Sequence, residues 1–125
     1  MQVLCPVSVG EIVDKVSILE IKTKSIVDAQ KLANVHHEYN ILIGQYKDIL
    51  DRFSLRYGEL YTVNFELWNV EDRLRDMERK RSFGPDFVSL ARSVYRLNDK
   101  RAAIKLLINL ESGSNIVEQK SYSTD

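Results

Sequence analysis

Cysteine, proline and glycine are scarce: one, two and five respectively in 125 residues. The single cysteine, Cys5, excludes an internal disulfide and a cysteine-rich zinc site. It reads as a small buried hydrophobe, and its isolation fits a reducing, cytoplasmic compartment. No apolar run approaches the ~20 residues of a membrane span. Met1 to Pro6 has neither a basic leader nor a long apolar stretch, so it does not read as a secretory signal. A dominant charge sign is also missing. Eighteen Lys+Arg balance 18 Asp+Glu, which argues against nonspecific nucleic-acid binding by the whole molecule. There is no glycine-rich phosphate loop, no Gly-x-Ser-x-Gly, and no Cys/His pair in a supporting context. His36 and His37 are adjacent, hence about 100° apart on a helix, and cannot form an i,i+4 metal pair. Glu66, Glu71, Asp72 and Asp76 are interspersed with Arg73, Arg75 and Arg79 and contain no repeated Glu-x-x-Glu or Glu-x-x-His. Neither a metal nor a cofactor is expected.

What remains is a chain of single-domain size, 44% hydrophobic and 29% charged. Its breakers (Pro6, Gly10, Gly44, Gly58, Gly84, Pro85 and Gly113) leave long uninterrupted stretches that favour long helices. Ser8-Val9-Gly10-Glu11 fits a capping box at the start of a first helix. Val9, Ile12, Val13, Val16, Leu19, Thr23 and Ile26 follow at helical spacing, and Ile18 and Ile21 widen the face. Such a helix is covered on more than one side. Asp28 is a good N-cap for a second helix carrying Leu32, Val35, Tyr39, Leu42, Tyr46, Ile49 and Phe53, with a bend at 51–57. A third helix from about Gly58 to Arg81 has the seam Leu60, Val63, Leu67, Val70, Leu74 and Met77. Gly84, free to adopt a left-handed conformation, and Pro85 mark the next turn. A fourth helix runs from Pro85 to about Leu110 on Leu90, Val94, Leu97, Arg101, Ile104 and Ile108, and Gly113 stops it. The sequence therefore predicts an all-α fold. It is a single helical domain over 1–125, an antiparallel bundle of about four long helices with coiled-coil-like seams. Residues 1–7 form a lead and 114–125 a polar tail. Seams this long in a small chain invite a second copy, so a homodimer is expected.

Charge is unevenly placed. Residues 1–72 sum to −4, residues 73–105 to +6 and residues 106–125 to −2. In a hairpin of the last two helices, Arg79, Lys80, Arg81 and Arg92 gather near the tip. Arginine forks there suit phosphate or carboxylate, unless they merely complement a helix end. Arg101 occupies a seam position where an apolar residue belongs, and a buried arginine needs a partner. Candidate partners are a carboxylate of the bundle, such as Asp72, or an anionic ligand. Arg92, Tyr95, Asn98, Arg101 and Lys105 form a polar strip on the last helix, and Asn64, Trp68, Asp72 and Arg75 one on the helix before it. A polar groove between helices, holding the only tryptophan, is a natural ligand site in a bundle.

Several stretches carry a resemblance: Pro6 through Lys22, Lys31-Leu-Ala-Asn, Val63-Asn64 with Leu67-Trp68 and Glu71-Asp72, Phe83-Gly84-Pro85, Leu90 through Lys105, and Val117-Glu with Lys120-Ser-Tyr. Together they resemble a family of small uncharacterised proteins of bacteria and their phages. The resemblance covers nearly the whole chain, with 39–59 matching least. It implies no assigned activity. It hints only at a neighbourhood of glycosyltransferase-type proteins of surface-polysaccharide synthesis. It marks Asn64, Trp68, Arg92, Tyr95, Asn98, Asp99 and Arg101 as family-pattern positions. The expectation is a helical interaction or ligand-binding module whose inter-helix groove takes an anionic small molecule or protein partner. The candidate residues are Asn64, Trp68, Asp72, Arg92, Tyr95, Asn98, Asp99, Arg101 and Lys105; no membrane or nucleic-acid partner is expected. One alternative is an enzyme acting on a phosphorylated or nucleotide-linked small molecule, with Arg92 and Arg101 as anion clamps and Asp72 or Asp99 as base. The other is a purely structural helical oligomer.

Overall fold

A computed structural model describes residues 1–117 and 119, and among them there are five helices and no strand. They are α1 (Val9–Ser25), α2 (Ala29–Gln45), α3 (Lys47–Arg52), α4 (Ser54–Arg79) and α5 (Pro85–Ser112). The polar tail expected beyond Gly113 extends over residue 118 and residues 120–125, which lie outside the described part. No helix of the described residues is long and apolar enough to cross a membrane.

The fold is all-α, but its plan is a hub rather than a ring of four. α1 packs against each of the other four helices, whereas α2 touches only α1 and α3. A helix so placed buries most of its circumference, including small polar residues: Asp14 and Ser17 lie as deep as Val13 and Val16, while Lys15 and Lys24 stay exposed. α4 and α5 form a long hairpin of opposed direction, fixed by Arg56 on Glu111 near its base and Leu67 against Leu97 midway. The core has two centres. Val13, Phe53, Leu60 and Ile108 join α1, α4, α5 and the α3–α4 bend, and Val63, Leu67 and Leu97 join the hairpin. Full burial of a side chain such as Leu60 or Ile108 contributes about 1.5–3 kcal/mol.

The local signals at the helix ends act largely as the sequence implies. Ser8 caps α1 by accepting from the Glu11 N–H at 3.0 Å, and Asp28 caps α2 by accepting from Lys31 N–H at 2.9 Å. Gly113 ends α5 with φ +66°. Three details differ. The expected second helix is two, because the backbone bends at Tyr46 and again at Phe53 instead of once within 51–57. Helical hydrogen bonds continue through both bends (Leu50 N–H to Tyr46 O, 3.0 Å; Tyr57 N–H to Phe53 O, 2.8 Å), and at the second Phe53 is packed into the core. The left-handed residue between α4 and α5 is Arg81, with φ +55°, not Gly84, which is extended. Ser82 N–H reaches Met77 O at 2.9 Å and Arg81 N–H reaches Glu78 O at 3.1 Å, the pairing of a Schellman end. Cys5 is exposed rather than buried, because the lead before α1 has no regular structure to pack it.

Candidate functional site

Gly10, Asp14 and Ser17 lie within one face of α1 and meet polar partners from α4 and α5. At Gly10 the helices almost touch: a Cβ there would stand 2.6 Å from the Lys105 carbonyl oxygen and 2.9 Å from Asn109 Oδ1. The Gly10 N–H, an orphan of the first turn, donates instead to Asn109 Oδ1 at 2.7 Å. One turn on, Lys105 Nζ meets Glu11 Oε2 at 2.6 Å.

A turn deeper, Asp14 is wholly buried, and Arg101 grips it with two hydrogen bonds, Nε to Oδ1 at 2.9 Å and Nη2 to Oδ2 at 2.6 Å. Asn64 Nδ2 donates to Asp14 Oδ1 and to Ser17 Oγ, each at 2.9 Å, and Ser17 donates to the Asp14 carbonyl at 2.7 Å. The carboxylate of Asp14, through its hydrogen bond above all, holds the Arg101 guanidinium above its ordinary range. Arg101 thus has the internal carboxylate that its seam position demanded, supplied by α1 rather than by Asp72. Among the described residues no fully buried side-chain polar atom lacks a partner.

Beside this network lies a groove of about 200 Å³ between α1, α4 and α5, lined by Ile18, Ile21, Asn64, Leu67, Trp68, Glu71, Asn98 and Arg101. Four of the nine residues picked from sequence converge here: Asn64, Trp68, Asn98 and Arg101. Asn64 has given both amide hydrogens away, and its oxygen accepts nothing among the described residues. Asn98 donates to Val94 O at 3.1 Å, and its oxygen accepts nothing among the described residues. Glu71 stands where the sequence strip had Asp72, and Asp72 is exposed outside the lining.

The other predicted residues lie elsewhere. Lys105 is at the Glu11 pair. Arg92 lines a separate groove at the hairpin tip with Phe83, Pro85, Val88 and Arg96. Tyr95 and Asp99 face solvent on the outer side of α5. Of the tip cluster, Arg79 and Lys80 both meet Asp76, at 3.3 and 2.9 Å. Toward the other end of α1, the Tyr57 hydroxyl donates to Glu20 at 3.1 Å, and Lys24 reaches the Tyr61 hydroxyl at 3.3 Å. Burial, and then Glu20, push the Tyr57 phenol well above its ordinary range, so it stays a donor. No group of three or more His, Cys, Asp or Glu among the described residues is arranged to hold a metal ion.

Sequence reasoning missed Gly10, Asp14, Ser17, Glu71 and Asn109. The signal was available for the first three. A helix read as covered on more than one side must place its small and polar residues against something.

The chain belongs to a family of unknown function, DUF6165, whose model matches residues 2–125. No curated protein and no solved structure matches it.

Proposed function

We propose that this member of the family is a binding module whose groove beside Trp68 takes one small, hydrogen-bond-donating group: an ammonium, a guanidinium or a small polyol. The observation that carries this reading is the internal pairing of Arg101 with Asp14 inside the groove wall. With that positive charge matched, the remaining polar lining has acceptors, namely the Asn64 and Asn98 oxygens and the Glu71 carboxylate, beside Trp68, a residue whose indole favours a cation. An anionic ligand, the expectation from sequence, would have had to use Arg101 and Lys105, and α1 carboxylates occupy both. The volume of about 200 Å³ is below that of a drug-sized pocket and suits a side chain of a partner protein or a molecule of similar size. The enzyme alternative needs Arg92 and Arg101 on one substrate, and they line different grooves.

Trp68 is the only tryptophan, so its emission reports on the groove directly. Titration with lysine amide or arginine amide should give a saturable change that Glu71→Gln abolishes without altering the melting temperature. A response to phosphate or succinate instead, or no response to any of these at millimolar concentration, contradicts the reading.

A second reading, a structural helical oligomer, is favoured by the same Asp14–Arg101 pair, because a matched buried charge can specify packing without a ligand.

A further inference from the structure

α5 has two apolar faces, and only one is covered. Leu97 and Ile108 are buried in the core. At about 100° per residue, Val88, Tyr95, Leu106 and Leu110 lie on the opposite side. They are exposed, Tyr95 to 57% and Leu110 to 67%. From Val88 to Leu110 the stripe runs for about 33 Å along the helix. Arg92 and Asp99 sit within it, seven residues apart and so on one line, and neither forms an ion pair among the described residues. At the stripe's N-terminal end lies the groove of about 540 Å³ walled by Phe83, Pro85 and Val88.

We propose that this outer face of α5 is the contact surface for a second copy of the chain, with the two α5 helices antiparallel about a two-fold axis next to Tyr95. The placement of charge selects the occupant. An axis between Tyr95 and Arg96 sets each Arg92 opposite the other copy's Asp99, so two unpaired charges on one helix become two matched pairs across the dimer. The same register sets the other copy's Leu106 level with Pro85, at the groove of Phe83, Pro85 and Val88 that the single chain leaves open, and Leu110 one turn beyond it. Leucines at one end of the stripe and a groove at the other make a surface that is complementary to itself, as a two-fold interface requires. Three sequence-marked residues that the Trp68 groove does not use, Arg92, Tyr95 and Asp99, find their role here. This interface forms whatever the Trp68 groove binds.

Sedimentation equilibrium of the full chain tests it with wild type, Arg92→Asp, Asp99→Arg and an equal mixture of the two variants. All three side chains of the test line, Arg92, Tyr95 and Asp99, are exposed, so the variants keep the fold, which circular dichroism verifies. Wild type should be dimeric at micromolar concentration. Each variant alone should weaken the dimer about tenfold or more, because like charges then face each other. The mixture should dimerise again. In the mixed dimer the aspartate introduced at position 92 of one variant faces the arginine introduced at position 99 of the other. The unchanged Asp99 of the first faces the unchanged Arg92 of the second, so both pairs are restored. Leu106→Asp should weaken the dimer with no rescue by either variant. A monomeric wild type, single variants as dimeric as wild type, or a mixture no tighter than its components would each overturn the proposal.

Discussion

Asn64 gives both hydrogens of its amide to α1, one to Asp14 Oδ1 and one to Ser17 Oγ, each at 2.9 Å. One residue of α4 thereby fixes the orientation of the carboxylate that Arg101 of α5 must meet. Its own oxygen accepts nothing among the described residues, and Asn64 lines the groove. The structural network and the candidate binding surface therefore share a residue, and substitution there separates their contributions.

Asn64→Leu keeps the number and branching of the side-chain heavy atoms and removes both donors. The buried Asp14 carboxylate loses one hydrogen bond and Ser17 loses its acceptor role, so unfolding in urea should show a loss of about 1–3 kcal/mol. Asn64→Asp should be worse, because it places a second carboxylate against buried Asp14.

Gly10→Ala should destabilise the chain by about 1–3 kcal/mol, the cost of overpacking. The new methyl meets a backbone carbonyl at 2.6 Å, and backbone cannot swing aside as a flexible side chain would. Thermal melts of Gly10→Ala beside Gly44→Ala make the comparison, since nothing lies within 4 Å of a methyl at Gly44. Gly44→Ala, within α2, should stabilise slightly.

Arg81→Gly should stabilise by about 1 kcal/mol, because Arg81 holds a left-handed backbone that costs a residue with a Cβ about that much. The same melts measure it. A loss of stability would mean that the guanidinium makes a compensating contact.

Acid should weaken the hairpin at its base and the C-terminal turn of α4 at its tip. Arg56 holds the Glu111 carboxyl below the usual carboxylate range, chiefly through hydrogen bonding, and Lys80 does the same for Asp76. A depressed folded value means stability that is complete above the unfolded value and lost as pH falls through the folded one. The loss therefore begins near the ordinary carboxylate range, about pH 4, and continues below it. Urea midpoints across that range should fall less steeply for Glu111→Gln than for wild type. Both pairs are exposed, so the difference is small.

Much of the helix plan was legible in sequence because capping and periodicity are local. Ser8, Asp28, Pro85 and Gly113 each mark a helix end by chemistry that operates within one turn. The bend at Phe53 falls inside the stretch 51–57 where the apolar seam weakens, and Phe53 itself is buried in the core there; the bend at Tyr46 was not legible. The left-handed position fell on Arg81 rather than Gly84 because the Schellman hydrogen bonds fix where the helix must turn, and a residue with a tolerable cost took the place.

The candidate site was half legible for a geometric reason. On α4, steps of four from Asn64 through Trp68 to Asp72 drift off one face, whereas the step of three from Trp68 to Glu71 returns to it; the groove accordingly holds Glu71. On α5, steps of three from Arg92 through Tyr95 and Asn98 to Arg101 wind about half a turn around the helix. The strip's two ends consequently face opposite ways, Arg101 toward α1 and Arg92 toward the outer side. The demand that Arg101 be paired was readable, but the identity of its partner was not, because Asp14 is 87 residues away in the chain.

The central claim is that Asp14 matches Arg101 internally and so defines both the packing of α1 and the character of the groove. A double-mutant cycle on unfolding free energy tests it most directly, using Asp14→Leu, Arg101→Met and the double variant. The account predicts that Asp14→Leu alone costs about 3–5 kcal/mol by leaving Arg101 uncompensated. It also predicts that the double variant recovers about 2 kcal/mol relative to the sum of the singles. Costs that simply add, to within about 0.5 kcal/mol, would contradict it and leave Arg101 free to serve an external anion.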